Sequence, residues 1–463
     1  MESHPPARYE RAVRKAQADG RVPAISVALR RADREPWVFT VGDSGNADHP
    51  LGPDTRFRIG SITKTFTAAL VLQCRDDGLL GLDDPIGEHL QVPAHGDATI
   101  RRLLSHTAGF QREPYGDIWD TLQAPGDAEL LAQLDRAERV LPNGRRFHYS
   151  NLGFAVLGQL AAKLRGGSWA EVVADRVLEP LGLSATTPHP PAQAAVGYLV
   201  DAYSDAARPE PRTDLGGVGP AAQLWSTAGD MATWGAFLAD PGTIDPRGQV
   251  LSAATVDEMR FPATTTNETL WQLGWGLGLI IAPQGGRSVH VGHDGAMPGF
   301  LAGAYGRRGG EGLPDGLGCA VLGSSGTAGE INDLVHELLN AAVEHDPADI
   351  QPWRIAPPAP TPYRSVLGPW WSEGTQFVFS WHGGALQARS PEAPADTPPA
   401  IFEPVPGQSD LLRTVSGREA GELLRLTRDD AGTVVRMHWA TYRVTRAQEG
   451  FDGGVASDGD AAR

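Results

Sequence analysis

The sequence of 463 residues predicts an α+β protein, in which an antiparallel sheet is flanked by helices and carries a helical subdomain. Three observations lead to this fold class. Helix-like segments lie at both ends of the first 345 residues, strand-like runs with Gly-rich turns lie between them, and a further set of short strand-like runs follows a proline-rich stretch. We therefore predict a larger domain, a linker, a small C-terminal β-barrel-like domain and a disordered tail, at residues 1–345, 346–362, 363–448 and 449–463.

The predicted elements of the larger domain follow from its hydrophobic pattern. Tyr9 and Val13 share one helical face, and two strand-like runs at 24–30 and 37–41 form a predicted hairpin. A helical pattern runs from Ser61 to about residue 74. Four strands are then predicted, with the sequences WQLGWGLGLIIA (271–282), RSVHVGHDG (287–295), FLAGAYG (300–306) and LGCAVLGSS (317–325).

The last helix of the larger domain is predicted from an apolar stripe and a start signal. Thr327 and Glu330 have the spacing of a capping box. The stripe consists of Ile331, Leu334, Val335, Leu338 and Ala342. Six prolines among residues 346–362 then indicate a semi-rigid linker. In the C-terminal domain, we favour a core-filling role for the tryptophans over a carbohydrate-binding platform.

Composition excludes several classes of protein. The 40 basic and 56 acidic residues give a net charge of −16, which disfavours binding to nucleic acid or anionic lipid. No apolar run reaches the roughly 18 residues of a membrane span. Two cysteines cannot form a disulfide framework, and no metal-binding motif is found, so we expect no metal and no cofactor. The N-terminus lacks an apolar signal segment, so a cytoplasmic location is expected; the oligomeric state is left open.

Lysine is rare in this chain, and one lysine lies where chemistry requires it. Only Lys15, Lys64 and Lys163 are lysines, and the other 37 basic residues are arginines. Lys64 follows Ser61 by three residues on the predicted helix, so the two side chains share a face. A buried lysine can become neutral and accept a proton from the serine hydroxyl, whereas arginine stays protonated in proteins. Ser61 and Lys64 are therefore a candidate nucleophile and base.

Two further motifs accompany this pair along the chain. Tyr149 and Asn151 follow a Pro-Asn-Gly turn, and His293 and Gly295 lie near the end of a predicted strand. Each motif alone occurs easily by chance, but their order and structural context strengthen one another. We interpret His106 as a structural hydrogen-bonding residue. His290 and His293 are three residues apart on a strand, so they point to opposite faces and cannot bind one metal together.

Taken together, these segments resemble the serine β-lactamase and penicillin-binding superfamily, in its branch of class C β-lactamases, D,D-carboxypeptidases and family VIII esterases. The resemblance covers about residues 8 to 345 and implies the β-lactamase/transpeptidase-like fold. It depends on the segments GSITKTFTA (60–68), LLSHTAGF (103–110), FHYSNLGFAVLG (147–158), LEPLGL (178–183), LWSTAGDMA (224–232) and GHDGAMPGF (292–300).

The resemblance also implies a role for each site residue. Ser61 would be the acylated nucleophile, Lys64 and Tyr149 would share general base and acid duty, and Asn151 would hold an amide of the substrate's acyl side. The N–H groups of Ser61 and Ala296 would form the oxyanion hole.

The third motif departs from the β-lactamase pattern. His293 stands where a β-lactamase usually has lysine, and Asp294 replaces a small hydroxyl residue. Histidine is mostly neutral at pH 7 and offers no permanent cation to a substrate carboxylate. Gly295 would let the substrate backbone approach the strand.

Three functional hypotheses follow for this chain. The first is a serine hydrolase that acts through an acyl-enzyme on a small ester, amide or D-amino-acid peptide. The second is a D,D-carboxypeptidase or β-lactamase, which the missing export signal disfavours. His293 further disfavours β-lactam hydrolysis, but some D,D-peptidases and D-aminopeptidases of the family that the chain resembles carry His-x-Gly, so peptide-like substrates stay open. The third is a sensor or scaffold that is acylated without turnover. The expected partner is a small-molecule or peptide substrate.

Overall fold

The computed structural model divides the chain into two compact units, Met1–Ile350 and Gln351–Arg463. It describes residues 5–144, 146–267, 269–350, 352–395 and 397–448. The predicted tail, 449–463, lies outside the described residues. No helix in the described ranges is both long and apolar enough to cross a membrane.

Helices and strands alternate in groups along the described chain. The helices α1 to α13 are Pro5–Asp19, Thr63–Asp76, Ile100–Leu104, Ile118–Thr121, Asp127–Ala132, Asn151–Arg165, Trp169–Val173, Gly219–Ala222, Ala228–Ala239, Pro241–Ile244, Ala253–Met259, Glu330–His345 and Thr361–Arg364. The strands β1 to β12 of the first unit are Ala24–Arg31, Arg34–Gly42, Phe57–Arg58, Tyr198–Val200, Ala207–Pro209, Trp225–Ser226, Thr264–Thr265, Gly274–Trp275, Ile280–Gly285, Ser288–Met297, Phe300–Arg308 and Gly318–Gly323. The strands β13 to β20 of the second unit are Gly368–Ser372, Thr375–His382, Ala385–Arg389, Ala400–Pro404, Leu411–Ser416, Leu423–Arg428, Val434–Trp439 and Tyr442–Val444.

The first unit is built on an eight-stranded antiparallel sheet, which confirms the predicted α+β class. Its strand order is β2-β1-β12-β11-β10-β9-β8-β7. The first of the four predicted strands is divided into β8 and β9, because Gly278 turns the chain between them with a φ of +83°. The hairpin and the other three strands form as predicted.

Helices cover both faces of this sheet. On β11, Gly303 lies against Val335 of α12, and Gly306 lies against Gly235 of α9. Positions 303 and 306 point to opposite faces of a strand, so α12 and α9 pack on opposite sides. The helix α1 joins α12 in one core, and α2 and α6 join α9 in the other.

The helix α12 has the predicted stripe but not the predicted cap. All five stripe residues are buried against the sheet. The helix begins at Glu330 after Gly329, without a side-chain hydrogen bond at its start. The hydroxyl of Thr327 lies 3.0 Å from that of Ser325 instead, so the capping box was wrong.

The second unit is a sheet of eight consecutive antiparallel strands, β13 to β20. Trp371 and Thr445 exchange two backbone hydrogen bonds of 2.8 and 2.9 Å, which bring the first and last strands together. The sheet is therefore barrel-like and nearly closed, as predicted. Trp370 and Trp439 are buried in its core, and their indole N–H groups donate to the Val366 carbonyl and the Thr414 hydroxyl. These two tryptophans fill the core.

The helix α2, which carries Lys64, is held in place by hydrogen bonds to its threonines. The Thr63 hydroxyl accepts from the backbone N–H of Leu224 at 3.2 Å, and the Thr65 hydroxyl accepts from the Trp234 indole at 2.7 Å. The Trp234 ring also stacks on Phe66, with ring centres 4.0 Å apart. Alternating threonines therefore fix this helix in an otherwise apolar core.

Trp234→Phe tests this anchoring. The variant keeps a stacking ring but removes the buried hydrogen bond to Thr65, so we expect a loss of about 1–3 kcal/mol in the free energy of unfolding. The midpoint of urea denaturation, followed by circular dichroism, measures it. Trp353→Phe is the matched control, because Trp353 is 85% exposed. An unchanged midpoint in Trp234→Phe would contradict the anchoring.

Candidate active site

The predicted nucleophile and base lie side by side in the structure. Ser61 occupies a 3-10 turn, Gly60–Ile62, that leads directly into α2. The Nζ of Lys64 is 3.0 Å from the Oγ of Ser61. The helix starts two residues later than predicted, but the three-residue spacing brings the two side chains together as the sequence indicates.

Lys64 is fully buried and has no ion-pair partner at contact distance among the described residues. Its Nζ donates to the Ala221 carbonyl at 2.9 Å and lies 4.8 Å from the centre of the Tyr149 ring. Burial lowers the pKa of Lys64 well below its usual value. The Glu113 charge opposes this shift, and the Arg112 charge adds to it. A neutral amine beside a serine hydroxyl can accept its proton.

Tyr149 lies in the same buried cluster. Its ring stacks on His106 with ring centres 4.4 Å apart, and Trp275 meets it edge-on at 5.6 Å. Burial raises the pKa of Tyr149, and a hydrogen bond with the Ser61 side chain opposes that rise. The phenol is therefore protonated at neutral pH and within reach of the serine.

His106 holds the segment that carries Tyr149. Its Nδ1 accepts from the backbone N–H of Ser150 at 3.0 Å, and its carbonyl accepts from that of His148 at 2.8 Å. Burial lowers the pKa of His106 well below its usual value, so the ring is neutral and Nδ1 is free to accept. The structural interpretation of His106 agrees with these contacts.

The edge of β10 lies next to the Ser61 turn. Pairing of β10 with β9 ends at Gly292 and Ile280, and the strand continues to Met297. A Cβ on Gly295 would lie 2.0 Å from the carbonyl oxygen of Ile59. The close approach that requires glycine is therefore made by the protein itself, whereas the sequence analysis assigned it to substrate. A Cβ on Gly60 would lie 2.7 Å from the N and O of Ala296, so the two predicted oxyanion-hole segments are in contact.

His293 is neutral in this site. It is 3% exposed, packs edge-on against Trp275 at 5.3 Å, and its Nδ1 lies 2.5 Å from the Asp294 carbonyl. Burial lowers the pKa of His293 to about 3, and the positive charge of protonated Lys64 acts in the same direction with a smaller effect. Its Nε2 has no hydrogen-bond partner among the described residues.

Asp294 points away from this site. Its Oδ1 accepts from the Tyr305 hydroxyl at 2.9 Å, and burial raises its pKa to about 6. His290 lies four residues earlier on β10 and therefore on the same face of the sheet as Asp294. Its Nδ1 is 2.8 Å from the Nδ1 of His336 on α12. Side chains alternate along β10, so Asp294 and His290 lie behind the sheet while His293 faces the serine.

Asn151 contacts an acid that the sequence analysis missed. Its Nδ2 donates to Glu113 Oε1 at 2.6 Å. A carboxylate only accepts hydrogen bonds, so this contact orients the Asn151 amide with its oxygen turned away from Glu113. The Oδ1 of Asn151 and the Oε2 of Glu113 are buried and without a hydrogen-bond partner within the described ranges. Glu113 lies on a loop without a periodic pattern, so no local signal marks it as a site residue.

One group of side chains with metal-binding chemistry includes none of the residues around Ser61. In the part of the chain that the structure describes, Asp84, Glu88 and His89 are the one group of three that could ligate a metal together. The His89 Nε2 is already 2.9 Å from Asp84 Oδ2, and none of the three belongs to the serine site.

The sequence profile of the Beta-lactamase family matches residues 9–329. The chain belongs to this family. A Domain of unknown function (DUF7586) matches residues 359–446. Penicillin-binding protein 4 of Amycolatopsis lactamdurans is 32% identical over 336 residues, which cover 66% of this chain and 84% of that protein. Beta-lactamase-like protein 2 of Dictyostelium discoideum is 27% identical over 278 residues, 55% of this chain, and the chain spans about half of that relative, 48%.

Two solved protein structures are similar to this chain in fold. A D-stereospecific amidohydrolase from Streptomyces has a TM-score of 0.59 at 25% identity, covering 73% of this chain and 97% of that one. An octameric penicillin-binding protein homologue from Pyrococcus abyssi has a TM-score of 0.61 at 22% identity, covering 95% of this chain and 99% of that one. The second likeness shows the fold alone.

The rarity of lysine makes the state of Lys64 directly measurable. In protein labelled with ¹³C at the lysine ε carbons, we expect three signals, of which one titrates far below the Lys15 signal. Burial lowers the pKa of Lys64, whereas the Asp19 carboxylate raises the pKa of Lys15. NMR spectra over a pH series measure this, and Lys64→Arg should remove the low-titrating signal. Lys15→Arg is the control and should leave that signal in place. Three signals titrating together would contradict a neutral Lys64.

Proposed function

We propose that the chain is a serine hydrolase that acts through an acyl-enzyme on a small ester, amide or D-amino-acid peptide. The observation that carries the proposal is the 3.0 Å contact between Ser61 and the fully buried Lys64. Burial favours the neutral amine, which is the form that can take the hydroxyl proton. The family membership supports a hydrolase of this type.

Acylation begins when Ser61 Oγ attacks the substrate carbonyl carbon and passes its proton to Lys64. The backbone N–H groups of Ser61 and Ala296 donate hydrogen bonds to the carbonyl oxygen and stabilise the negative charge that develops on it. The bond between the carbonyl carbon and the leaving amine or alcohol then breaks. Tyr149 donates its proton to the leaving group and takes a proton back from Lys64. Water attacks the acyl-enzyme by the reverse sequence, which releases the acid and regenerates Ser61.

The charges around Ser61 favour an acyl donor without a carboxylate. His293 is neutral because burial lowers its pKa to about 3. The Arg112 guanidinium lies over the Tyr149 ring at 4.9 Å, and its Nε is 3.8 Å from Glu113 Oε1. The Glu113 charge therefore offsets this cation through Oε1, while Oε2 has no hydrogen-bond partner among the described residues. A β-lactam or a D,D-carboxypeptidase substrate carries a carboxylate, which such a site binds weakly.

Glu113 and Asn151 suit a substrate with a free ammonium group. Each has one buried acceptor oxygen without a hydrogen-bond partner among the described residues. Buried acceptors of this kind are costly unless a donor reaches them, and an ammonium supplies several N–H donors. An amino acid amide or a peptide N-terminus would place such a group next to the reacting carbonyl. The likeness to a D-stereospecific amidohydrolase supports this class.

The nucleophile and base are tested by Ser61→Ala and Lys64→Arg. Without the serine hydroxyl, hydrolysis of p-nitrophenyl acetate and of D-alanyl p-nitroanilide should fall to the level of buffer. Lys64→Arg should lower the acylation rate by at least about 100-fold, because arginine cannot become neutral. Lys163→Arg, outside the site, is the matched control. Turnover that survives in Ser61→Ala would refute the nucleophile, and near-normal acylation in Lys64→Arg would refute the base.

Ammonium recognition is tested by Glu113→Gln. Loss of the negative charge should lower kcat/KM for D-alanyl p-nitroanilide about 10- to 100-fold, in line with a charge-assisted hydrogen bond. The N-acetylated substrate, which lacks the ammonium, should be affected far less. Glu35→Gln, on the exposed part of β2, is the control. Equal losses on both substrates would argue that Glu113 only positions Asn151.

A further inference from the structure

An apolar cleft begins at the strand that flanks Ser61. It has a volume of about 570 Å³ and starts at Ala296. Because Gly60 touches the backbone of Ala296, the cleft opens directly beside the serine turn. Its volume is within the range of small-molecule sites, roughly 300–1,000 Å³.

The direction of β10 indicates which part of a substrate reaches this cleft. The lining continues from Ala296 through Met297 to Pro298, away from His293, which precedes Ala296 by three residues. At about 3.3 Å per residue, His293 lies roughly 10 Å from Ala296 along the chain, on the side away from Met297 and Pro298. Lys64 and Tyr149 cluster with His293 and supply the leaving group's proton. The cleft therefore receives the acyl side.

The lining of the cleft is mainly apolar and includes two acidic residues. Trp119, Leu122 and Leu199 are 42%, 38% and 37% exposed, which is unusual for large apolar side chains that line one cavity. Its described charged residues are Asp120 and Glu210, both acidic. This surface suits an apolar group and repels an anionic one.

Leu122 adopts a backbone conformation that its side chain disfavours. Its φ is +57°, at the end of the one-turn helix α4. Glycine adopts this region freely, whereas a residue with a branched side chain does so under strain. Strained residues of this kind are found at ligand-contacting positions. The backbone conformation alone would favour glycine at position 122, so we attribute the presence of leucine to the contacts that its side chain makes.

We propose that this cleft is the acyl-group subsite and that Trp119 and Leu122 select substrates with a large apolar acyl group. The inference rests on the proposed function, and it adds the substituent that the site prefers. Combined with an ammonium at Glu113, the preferred acyl donor is an N-terminal amino acid with an aromatic or long aliphatic side chain.

The test compares two esters that differ only in the acyl group. Wild-type protein should hydrolyse p-nitrophenyl 3-phenylpropionate with a kcat/KM at least about 10-fold above that for the acetate. Trp119→Ala and Leu122→Gly should each lower this ratio severalfold. Tyr203→Ala is the control, because Tyr203 is 99% exposed and outside the cleft, and its ratio should match the wild type. Equal ratios in all four proteins would overturn the proposal.

Two further measurements separate this proposal from its alternatives. Leu122→Gly should melt no lower than the wild type, because glycine relieves the strain at φ +57°. A lower melting temperature with an unchanged ester ratio would give Leu122 a structural role only and overturn its part. If neither ester is hydrolysed but D-alanyl p-nitroanilide is, the proposed function stands; if none of the three is hydrolysed, it fails. In both cases binding decides the subsite. Ser61→Ala protein should then bind 3-phenylpropionamide more tightly than propionamide, and Trp119→Ala should remove the difference. Equal binding would overturn the subsite.

Discussion

The site depends on burying one amine that no carboxylate of the described residues contacts. Lys64 is fully buried, and its Nζ contacts a serine hydroxyl, a main-chain carbonyl and the face of an aromatic ring. An uncompensated ammonium in such surroundings is costly, so the fold favours the free amine. The surrounding packing serves this constraint. The threonines of α2 and Trp234 hold the lysine in place, and the 219–222 segment supplies the carbonyl of Ala221.

A second constraint is the close approach of two backbone segments. Ile59 and Gly60 lie against Gly295 and Ala296, and a Cβ at either glycine would meet main-chain atoms at 2.0 or 2.7 Å. This contact brings the N–H group of Ala296 near the turn that carries Ser61. The alternation of side chains on β10 then separates two environments, with neutral His293 towards the serine and Asp294 behind the sheet. A strand with the wrong register would exchange them.

Local patterns predicted much of this arrangement. Periodicity gave the hairpin, α2, α12 and most of the strands, and the three-residue spacing of Ser61 and Lys64 gave the central pair. Glu113, Arg112 and Trp275 could not be predicted as site residues, because they reach the site through long-range packing from loops and a two-residue strand. The capping box at Thr327 was wrong, since the Ser325 hydroxyl competes for that threonine. The role of Gly295 towards substrate stays a prediction, and its close neighbour in the structure is Ile59, which no local pattern could identify.

The near-closure of the second unit has a consequence for its behaviour at high concentration. A sheet with open edges exposes rows of unpaired N–H and C=O groups, to which other chains can add. The two hydrogen bonds between Trp371 and Thr445 pair the strands that would otherwise be these edges. In the first unit the edges are protected differently, since β2 begins with Arg34-Glu35-Pro36 and β7 has only two residues. Both sheets therefore offer little for intermolecular strand pairing, which favours a chain that stays dispersed rather than aggregating edge to edge.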